Sequence, residues 1–408
     1  DQIGSYYGLL EDLGNLSREL MTIEENDMNQ QNLTFWKIMY RILLKKKKEY
    51  QELFTSLSEE ITPTKISEQV LQILYNKEVN ASVSSIENFY NCEYKYFLAN
   101  SLNLQQIDTM TLDSKIQGNY FHKVFQILLA NGFPVVEMFE QKMNEAIQSA
   151  TIEFQRYFEY NQFNQYLKQQ FDKILYSIGE ILRQQSKVAI KIEATEFGFG
   201  RDNIPGLILE LFQNKKLKIR GFIDRIDLIN QTIGAVDYKS GKKTFDLSLA
   251  LDGLQLQLLT YMDYLKSSYT NQTKQLWGAA YLSLLEPVVK LNDLSYFTQE
   301  AVLQKQSQQL LYNGIYIEET ISSEIKSLYN GTAKNTFTNK EVEKLIENNR
   351  ELFVNAGNEL ISGDIKINPA IDSKKVSIGC QYCRFKSICR YEPNIHCGRQ
   401  IGNQKLND

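Results

Sequence analysis

The sequence predicts an α/β protein in which a mixed central sheet is flanked by helices, with a helical segment ahead of it. Two observations support this fold class. Between residues 188 and 240, apolar and polar residues alternate with the two-residue period of strands. On either side, apolar residues recur at the three- and four-residue spacing of amphipathic helices. A chain of 408 residues with 43% hydrophobic content can bury a large core around such a sheet.

The region before the strands is predicted to be helical. Residues 1 to about 60 have helical spacing in LTFWKIMYRILL, and ISEQVLQILY continues as a short helix after Pro63. The word SSIE predicts a helix start, with Ser84 and Glu87 as a capping box. The next predicted helix is GNYFHKVFQILLANG, and residues 136–186 form a long Gln-rich helical region.

The strands are predicted by four successive runs, VAIKIEATEFGFG, LILELFQ, LKIRGFIDRIDLI and TIGAVDYKS. A helix, DGLQLQLLTYMDYL, and a further strand, LWGAAYLSLL, follow. Residues from about 298 to 362 are predicted to be helices. Helix, strands, helix and strand in this order are typical of a mixed sheet with helices on its faces.

Two aspartates stand inside these apolar strands, where charged side chains are rarely found without a partner. Asp224 lies in GFIDRIDLI and Asp237 in TIGAVDYKS, with Lys239 two residues later and on the same strand face as Asp237. The turn between the strands can bring both carboxylates side by side. Their repulsion would be relieved by a hard divalent cation such as Mg²⁺. The alternative is a set of ordinary ion pairs at a sheet edge.

The order and spacing of these residues resemble the RecB-type branch of the PD-(D/E)xK nucleases, which have a restriction-endonuclease-like core. The resemblance rests on GFIDR, on VDYKSG and on a helix with Gln257 and Tyr261 one turn apart. It implies that both aspartates bind metal, that the lysine assists the attacking water and that the Q-x3-Y helix contacts the site. The implied catalytic residues are Asp224, Asp237, Lys239, Gln257 and Tyr261.

The word GNYFH adds a glycine four residues before a histidine, which this family also has. Gly118 would let its helix approach the sheet closely. A lone histidine on an apolar helix is usually a core residue, but the resemblance implies that His122 binds the metal. Glu196, in ATEFGF, is a weaker candidate for the same site. The implied Mg²⁺ ligands are His122, Asp224, Asp237 and the backbone carbonyl of Tyr238.

The charge of the chain excludes indiscriminate binding to nucleic acid, because the net charge is -4. Residues 215–243 nevertheless hold eight basic and three acidic side chains, a local charge of +5. A patch of this kind suits contacts to the DNA backbone. The predicted DNA contacts are Arg225, Lys242 and Lys243.

Four of the five cysteines lie near the C-terminus, and outside an oxidising compartment this pattern favours metal ligation over disulfides. The motif C-x2-C-x5-C at residues 380–389 leaves a tetrahedral site one ligand short. His396 or Cys397 would complete a zinc site locally, whereas Cys92 would complete an iron–sulfur site from a distance. The spacing alone leaves both possibilities open.

A single cysteine before the nuclease core and C-x2-C-x5-C after it resemble the iron–sulfur nuclease domain at the C-terminus of AddB subunits of bacterial AddAB helicase-nucleases. The words S-x-x-E-x-F/Y-x-x-C and LQLQLLTY are also similar. The resemblance implies a structural clasp that closes a loop around almost the whole core, with Cys397 outside it. The implied ligands of a 4Fe-4S cluster are Cys92, Cys380, Cys383 and Cys389.

The same resemblance implies the domain organisation. Residues 1–80 are expected to be the helical end of a preceding helicase-like region, and residues 81–408 the RecB-type nuclease domain. Because the sequence starts with Asp1 and not with methionine, we expect a fragment of a longer polypeptide.

The implied function is Mg²⁺-dependent exonucleolytic hydrolysis of unwound single-stranded DNA during double-strand break processing, together with an AddA-type helicase-nuclease subunit. Two alternatives are a catalytically idle DNA-binding or scaffold module of the same fold, and a freestanding exonuclease of the CRISPR-adaptation kind. The sequence has no run of about 18 apolar residues and no signal-peptide pattern, so we expect a cytoplasmic protein that does not bind membranes.

Overall fold

The structure, a computed structural model, describes residue 63, most of residues 65–402 and five positions between 38 and 45. The five positions are helical, but the rest of the predicted N-terminal helical segment lies outside the described residues. Within 65–402 the description omits residues 106–108, 186–189, 270–273, 287, 291–297, 309, 329–334, 375 and 394–395.

Helices dominate the first and last parts of the described chain, and four successive strands lie near its middle. From residue 65 onward, the α-helices are α1 (Glu68–Leu74), α2 (Val83–Asn91), α3 (Glu93–Tyr96), α4 (Ser114–Leu129), α5 (Phe139–Phe158), α6 (Gln162–Gln185), α7 (Leu247–Leu251), α8 (Gln257–Tyr269), α9 (Gln299–Ser307), α10 (Ser323–Leu328), α11 (Asn339–Ser362) and α12 (Lys386–Cys389). The strands are β1 (Glu78–Ser82), β2 (Ile190–Phe199), β3 (Leu207–Glu210), β4 (Lys216–Ile229), β5 (Thr232–Lys239), β6 (Gln275–Ser283), β7 (Asn313–Ile317), β8 (Thr336–Phe337), β9 (Ala370–Ile371) and β10 (Arg399–Gln400).

Strand β4 organises the sheet because its 14 residues are long enough to pair with four other strands. Its first half pairs with β1 in parallel and with β3 in antiparallel orientation, and its second half pairs antiparallel with β2 and β5. Beyond β5, the order continues through β6 and β7 to β8, with parallel, antiparallel and parallel pairing. The predicted α/β fold with a mixed central sheet is confirmed.

Two hydrophobic cores cover the two faces of this sheet, because side chains alternate along each strand. The first core lies under α2, α8 and α11 and contains Ala235 of β5. The second core lies under α4, α5 and α6 and contains Val236, the next residue of the same strand. Strands with both faces covered read as nearly continuous apolar runs, which is how β5 and β6 appear in the sequence.

The structure corrects two predictions about elements. The predicted helical region at 298–362 also contains β7 and β8, which are too short to show a clear two-residue period. The capping box of α2 is formed by Ser82 and Ser85, and not by Ser84 and Glu87. The domain boundary predicted after residue 80 stays a prediction; residue 80 lies in β1, which pairs with β4.

In the part of the chain that the structure describes, no helix combines the length and the apolar character needed to cross a membrane.

Candidate active site

The acidic pair lies where β4 and β5 run side by side. Asp224 and Asp237 each stand one position beyond the paired residues Arg225 and Val236 of these strands. Asp224 Oδ2 accepts a hydrogen bond of 2.6 Å from the backbone N–H of Tyr238. Burial, together with the charge of Asp237, raises the pKa of Asp224 well above its ordinary value. The two carboxylates therefore repel each other unless a positive charge lies beside them.

Lys239 supplies part of that positive charge. Its Nζ lies 2.6 Å from Asp237 Oδ2 and donates a 2.8 Å hydrogen bond to Gln257 Oε1 at the start of α8. The Tyr261 hydroxyl, one helical turn later, donates to Asp237 Oδ1 over 3.3 Å. Burial by itself would lower the pKa of Lys239, but the ion pair with Asp237 and the charges of Asp224 and Glu87 together raise it. The structure thus brings together the acidic pair, the lysine and the Q-x3-Y helix, as predicted from the sequence.

His122 reaches the acidic pair from α4. Its Nδ1 lies 3.4 Å from Asp224 Oδ2, and its ring hydrogen-bonds to the backbone of Tyr238. Burial lowers the pKa of His122, which favours the neutral imidazole that binds metals. Gly118 favours the close approach of α4, because a Cβ there would lie 3.1 Å from Cβ of Ser240, closer than an ordinary van der Waals contact.

Glu196 completes a group that the sequence indicated only weakly. One ligand atom from each of His122, Glu196 and Asp224 lies within 4.8 Å of the others. Burial raises the pKa of Glu196, while the nearby Lys123 opposes that shift. Glu196 lies opposite Asp224, between the Thr195–Arg225 and Phe197–Ile223 pairs of β2 and β4.

The backbone at Glu196 is strained, because its φ of 49° lies in the left-handed region that non-glycine residues rarely adopt. The strain coincides with a change of face in both strands. Ala194 and Phe197 of β2 are three residues apart and would lie on opposite faces of a regular strand, yet both pack with the first core. Their partners in β4, Ile226 and Ile223, also both belong to that core. The kink therefore turns both carboxylates toward His122 at the junction of the two cores.

This group fits a hard divalent cation. Ligands of Mg²⁺ lie about 2.1 Å from the ion, so the donor atoms of one ion lie within roughly 4.2 Å of one another. The spacing of His122, Glu196 and Asp224 is close to that limit. Of the predicted metal ligands, Asp237 is directed toward Lys239 and Tyr261, although its charge still acts on Asp224.

Glu87 was assigned to a helix cap from the sequence but lies beside the active site. Its Oε1 accepts a 2.8 Å hydrogen bond from Leu256 N–H, immediately before α8. Burial raises the pKa of Glu87, and the positive charges of Lys243 and Lys239 oppose that shift. Both lysines lie over the ring of Tyr281, with Nζ 4.8 Å and 5.3 Å from its centroid. The local S-x-x-E pattern could not reveal this contact, which joins residues far apart in sequence.

We expect Glu87→Ala to lower the single-turnover cleavage rate about tenfold, because one charged hydrogen bond of roughly 1.5 kcal/mol that positions α8 is lost. Glu87→Gln keeps an acceptor for Leu256 and should lose less. The matched control is Glu351→Ala, at an exposed position of α11. Equal rates for Glu87→Ala and the control would show that Glu87 does not position the site.

The three predicted DNA contacts differ in their exposure to solvent. Lys242 is exposed and Lys243 is half-buried, with its Nζ over Tyr281. Arg225 is fully buried and donates a 2.8 Å hydrogen bond to Asp227 Oδ2 and another to the Tyr312 hydroxyl. DNA cannot reach this guanidinium, so the prediction of a DNA contact is corrected: Arg225 holds the core together.

Arg225→Met should lower the free energy of unfolding by about 3–5 kcal/mol, because it leaves the carboxylate of Asp227 buried without its partner. Chemical denaturation measures this loss, and Lys326→Met, an exposed position on α10, is the control. A loss of less than about 1 kcal/mol would contradict the structural role.

The C-terminal cysteines lie close to Cys92, which has extended backbone between α2 and α3. A Cβ at Gly379 would lie 2.3 Å from the carbonyl oxygen of Asn91, so the residues preceding Cys380 and Cys92 touch. The thiol of Cys92 interacts electrostatically with that of Cys380, and Cys389 interacts with both Cys383 and Cys380. Cys397 is exposed.

The surroundings of Cys92 fit a metal-bound thiolate. Burial raises the pKa of its thiol to about 11, and backbone N–H groups of Lys95, Asn368 and Tyr94 oppose the shift. N–H groups directed at sulfur are a means by which proteins tune iron–sulfur clusters. Four thiolates on one zinc ion would lie about 3.8 Å apart. In the described ranges no three cysteine sulfurs lie within 4.8 Å of one another, and neither His396 nor Cys397 joins such a group.

The mixed sheet, the acidic pair on neighbouring strands and the lysine beside it define the class of the protein, a nuclease. The chain belongs to the PD-(D/E)XK nuclease superfamily, whose family model matches residues 80–390.

Among curated proteins, the chain is similar to the B subunit of the ATP-dependent helicase/deoxyribonuclease of Lactococcus lactis subsp. lactis, with 34% identity over 99% of this chain and 37% of that protein. It is 33% identical to the exonuclease/helicase subunit RexB of Lactococcus lactis subsp. cremoris, over 99% of this chain and 37% of that protein. It is 30% identical to the B subunit of the ATP-dependent helicase/deoxyribonuclease of Streptococcus suis, over 97% of this chain and 36% of that protein. The chain therefore spans just over a third of the length of these relatives.

Proposed function

We propose that this chain hydrolyses phosphodiester bonds of single-stranded DNA in a reaction that needs a divalent cation, preferably Mg²⁺. The observation that carries the proposal is the convergence of His122, Glu196 and Asp224 next to the Asp237–Lys239 pair. A scaffold without catalytic activity would not require the buried or half-buried side chains of Glu196, Asp224 and Asp237 together with a strained backbone at one point.

In the proposed reaction, His122, Glu196 and Asp224 would hold the cation, with Asp237 and the carbonyl of Tyr238 as the further ligands implied by the sequence. A cation bound there would polarise the phosphate and lower the pKa of the attacking water. Lys239 lies 2.6 Å from Asp237, where its ammonium can orient that water and stabilise negative charge on the phosphate. Gln257 and Tyr261 fix the positions of Lys239 and Asp237 through their hydrogen bonds.

The names of the relatives support a larger setting for this activity. Two of them are called subunits of a helicase/deoxyribonuclease, and a third is called an exonuclease/helicase subunit. We therefore propose that the chain acts exonucleolytically on DNA strands that a helicase-nuclease partner of the AddA type has unwound during double-strand break processing in the cytoplasm. The exposed Lys242 and the half-buried Lys243 would contact the DNA backbone.

The test is cleavage of end-labelled single-stranded DNA by the intact protein and its partner, with Mg²⁺ and with EDTA. Wild type should cut only with Mg²⁺, and Asp237→Ala should not cut. If wild type bound the DNA but left it uncut under both conditions, the scaffold alternative would replace this proposal.

We further propose that Cys92, Cys380, Cys383 and Cys389 hold a 4Fe-4S cluster with a structural role. The proximity of these thiols and the N–H groups around Cys92 support this proposal over a local zinc site. The cluster would join the end of α2 to the C-terminal segment.

A further inference from the structure

Phe222 is an exposed aromatic side chain in the middle of the strand that carries Asp224. Its side chain is 42% exposed, although its neighbours Ile223 and Leu217 in β4 are fully buried. Phe222 precedes Asp224 by two residues, which is about 7 Å along the strand. An apolar ring therefore faces solvent within one nucleotide's reach of the proposed metal ligands.

The ring is held in place by contacts with β2 and with an arginine. Its partner in β2 is Gly198, where an added Cβ would lie 3.1 Å from Cε1 of the ring, so the ring lies close to the backbone of β2. The guanidinium of Arg201 lies over the ring, 4.8 Å from its centroid. Aromatic rings and arginine planes are the groups on which proteins stack the bases of single strands.

A basic pocket continues from this ring away from the active site. It has a volume of about 370 Å³ and is formed by the loop between β2 and β3 together with Lys218 and Arg220 of β4. Lys218 is paired with Glu78 over 2.7 Å. In the part of the chain that the structure describes, neither Arg201 nor Arg220 forms an ion pair, although Asp202 also lines the pocket. Two arginines are thus available for a polyanion.

We propose that Phe222 and Arg201 form a stacking platform for one base of the DNA strand, and that Arg220 contacts the adjoining phosphate. The inference rests on the proposed function and deepens it, because it gives the site its preference for single strands. A base can reach the platform only when it is unpaired. Charge complementarity and continuity with the active site identify the occupant as single-stranded nucleic acid.

The experiment measures single-strand binding and cleavage by the intact protein with Phe222→Ala, Phe222→Trp and Arg201→Met. Stacking of one base contributes to the affinity for single strands, so Phe222→Ala should raise Kd, measured in the Asp237→Ala background, and KM for an oligothymidylate by about tenfold. Phe222→Trp should restore both values, since tryptophan also stacks. Arg201→Met should weaken binding less and flatten its salt dependence. The control is Phe163→Ala, at an exposed phenylalanine of α6.

An oligonucleotide with a single abasic nucleotide provides a second measurement. Wild type should show a raised KM when the abasic nucleotide occupies one particular position relative to the cut. Phe222→Ala should show the same KM at every position of the abasic nucleotide. Unchanged Kd and KM in Phe222→Ala would overturn the platform while leaving the nuclease proposal intact. Failure of wild type to cut single strands at all would instead overturn the proposed function.

Discussion

Replacing Lys239 by methionine is expected to lower the rate of DNA cleavage by about 10²–10³-fold, the usual effect of removing one group that stabilises developing charge. The methionine side chain has nearly the same length and still fits beside Gln257 and Tyr281, so the loss would come from the ammonium itself. Because Lys239 is a cation and not a ligand, binding of Mg²⁺ should survive or become tighter. Single-turnover cleavage and calorimetric titration with Mg²⁺ measure the two effects separately.

The matched control is Lys191→Met, at an exposed lysine of β2 that has no place in the proposed site. It should leave both measurements unchanged. A Lys239→Met protein that cuts within a factor of about three of wild type would remove the lysine from the reaction, and weaker Mg²⁺ binding in that variant would point to a changed fold.

The second large effect is expected from Cys92→Ala. Loss of this ligand should abolish iron incorporation and free the C-terminal segment that carries the other three cysteines. Chain-entropy estimates for closing a loop of several hundred residues give roughly 5 kcal/mol, which is comparable with the whole stability of many domains. Iron content, the visible absorption of the cluster and limited proteolysis of the C-terminal segment measure the result.

Cys397→Ala is the control for the cysteine prediction, because this exposed thiol lies outside the proposed ligand set. It should retain full iron content and resistance to protease. If Cys92→Ala kept its metal while Cys397→Ala lost it, the local zinc alternative would be correct.

Much of the sheet could be predicted because β2, β4, β5 and β6 carry long apolar runs whose period is visible in one sequence. Strand β7, with five residues in NGIYI, offers too few positions to separate a strand from a helix. The pairing of β1 with β4 joins residues more than 130 positions apart, and no local pattern reports such a contact.

In the candidate site too, some residues could be predicted from local sequence patterns and others could not. Asp224, Asp237 and Lys239 were predicted because charges inside apolar strands conflict with burial and so call for an explanation. Glu196 approaches them only because its backbone is kinked, and a glutamate gives no sequence signal for a positive φ. Arg225 was mistaken for a DNA contact because the sequence shows its charge but not Asp227 and Tyr312 closing around it.

The left-handed backbone at Glu196 has a consequence for the evolution of the chain. Glycine would adopt this conformation without strain, so Glu196→Gly would relax the backbone and at the same time delete a carboxylate from the candidate site. The position therefore embodies a trade-off between stability and activity. A search for more stable variants guided by backbone geometry alone would select glycine at position 196 and so lose the proposed activity.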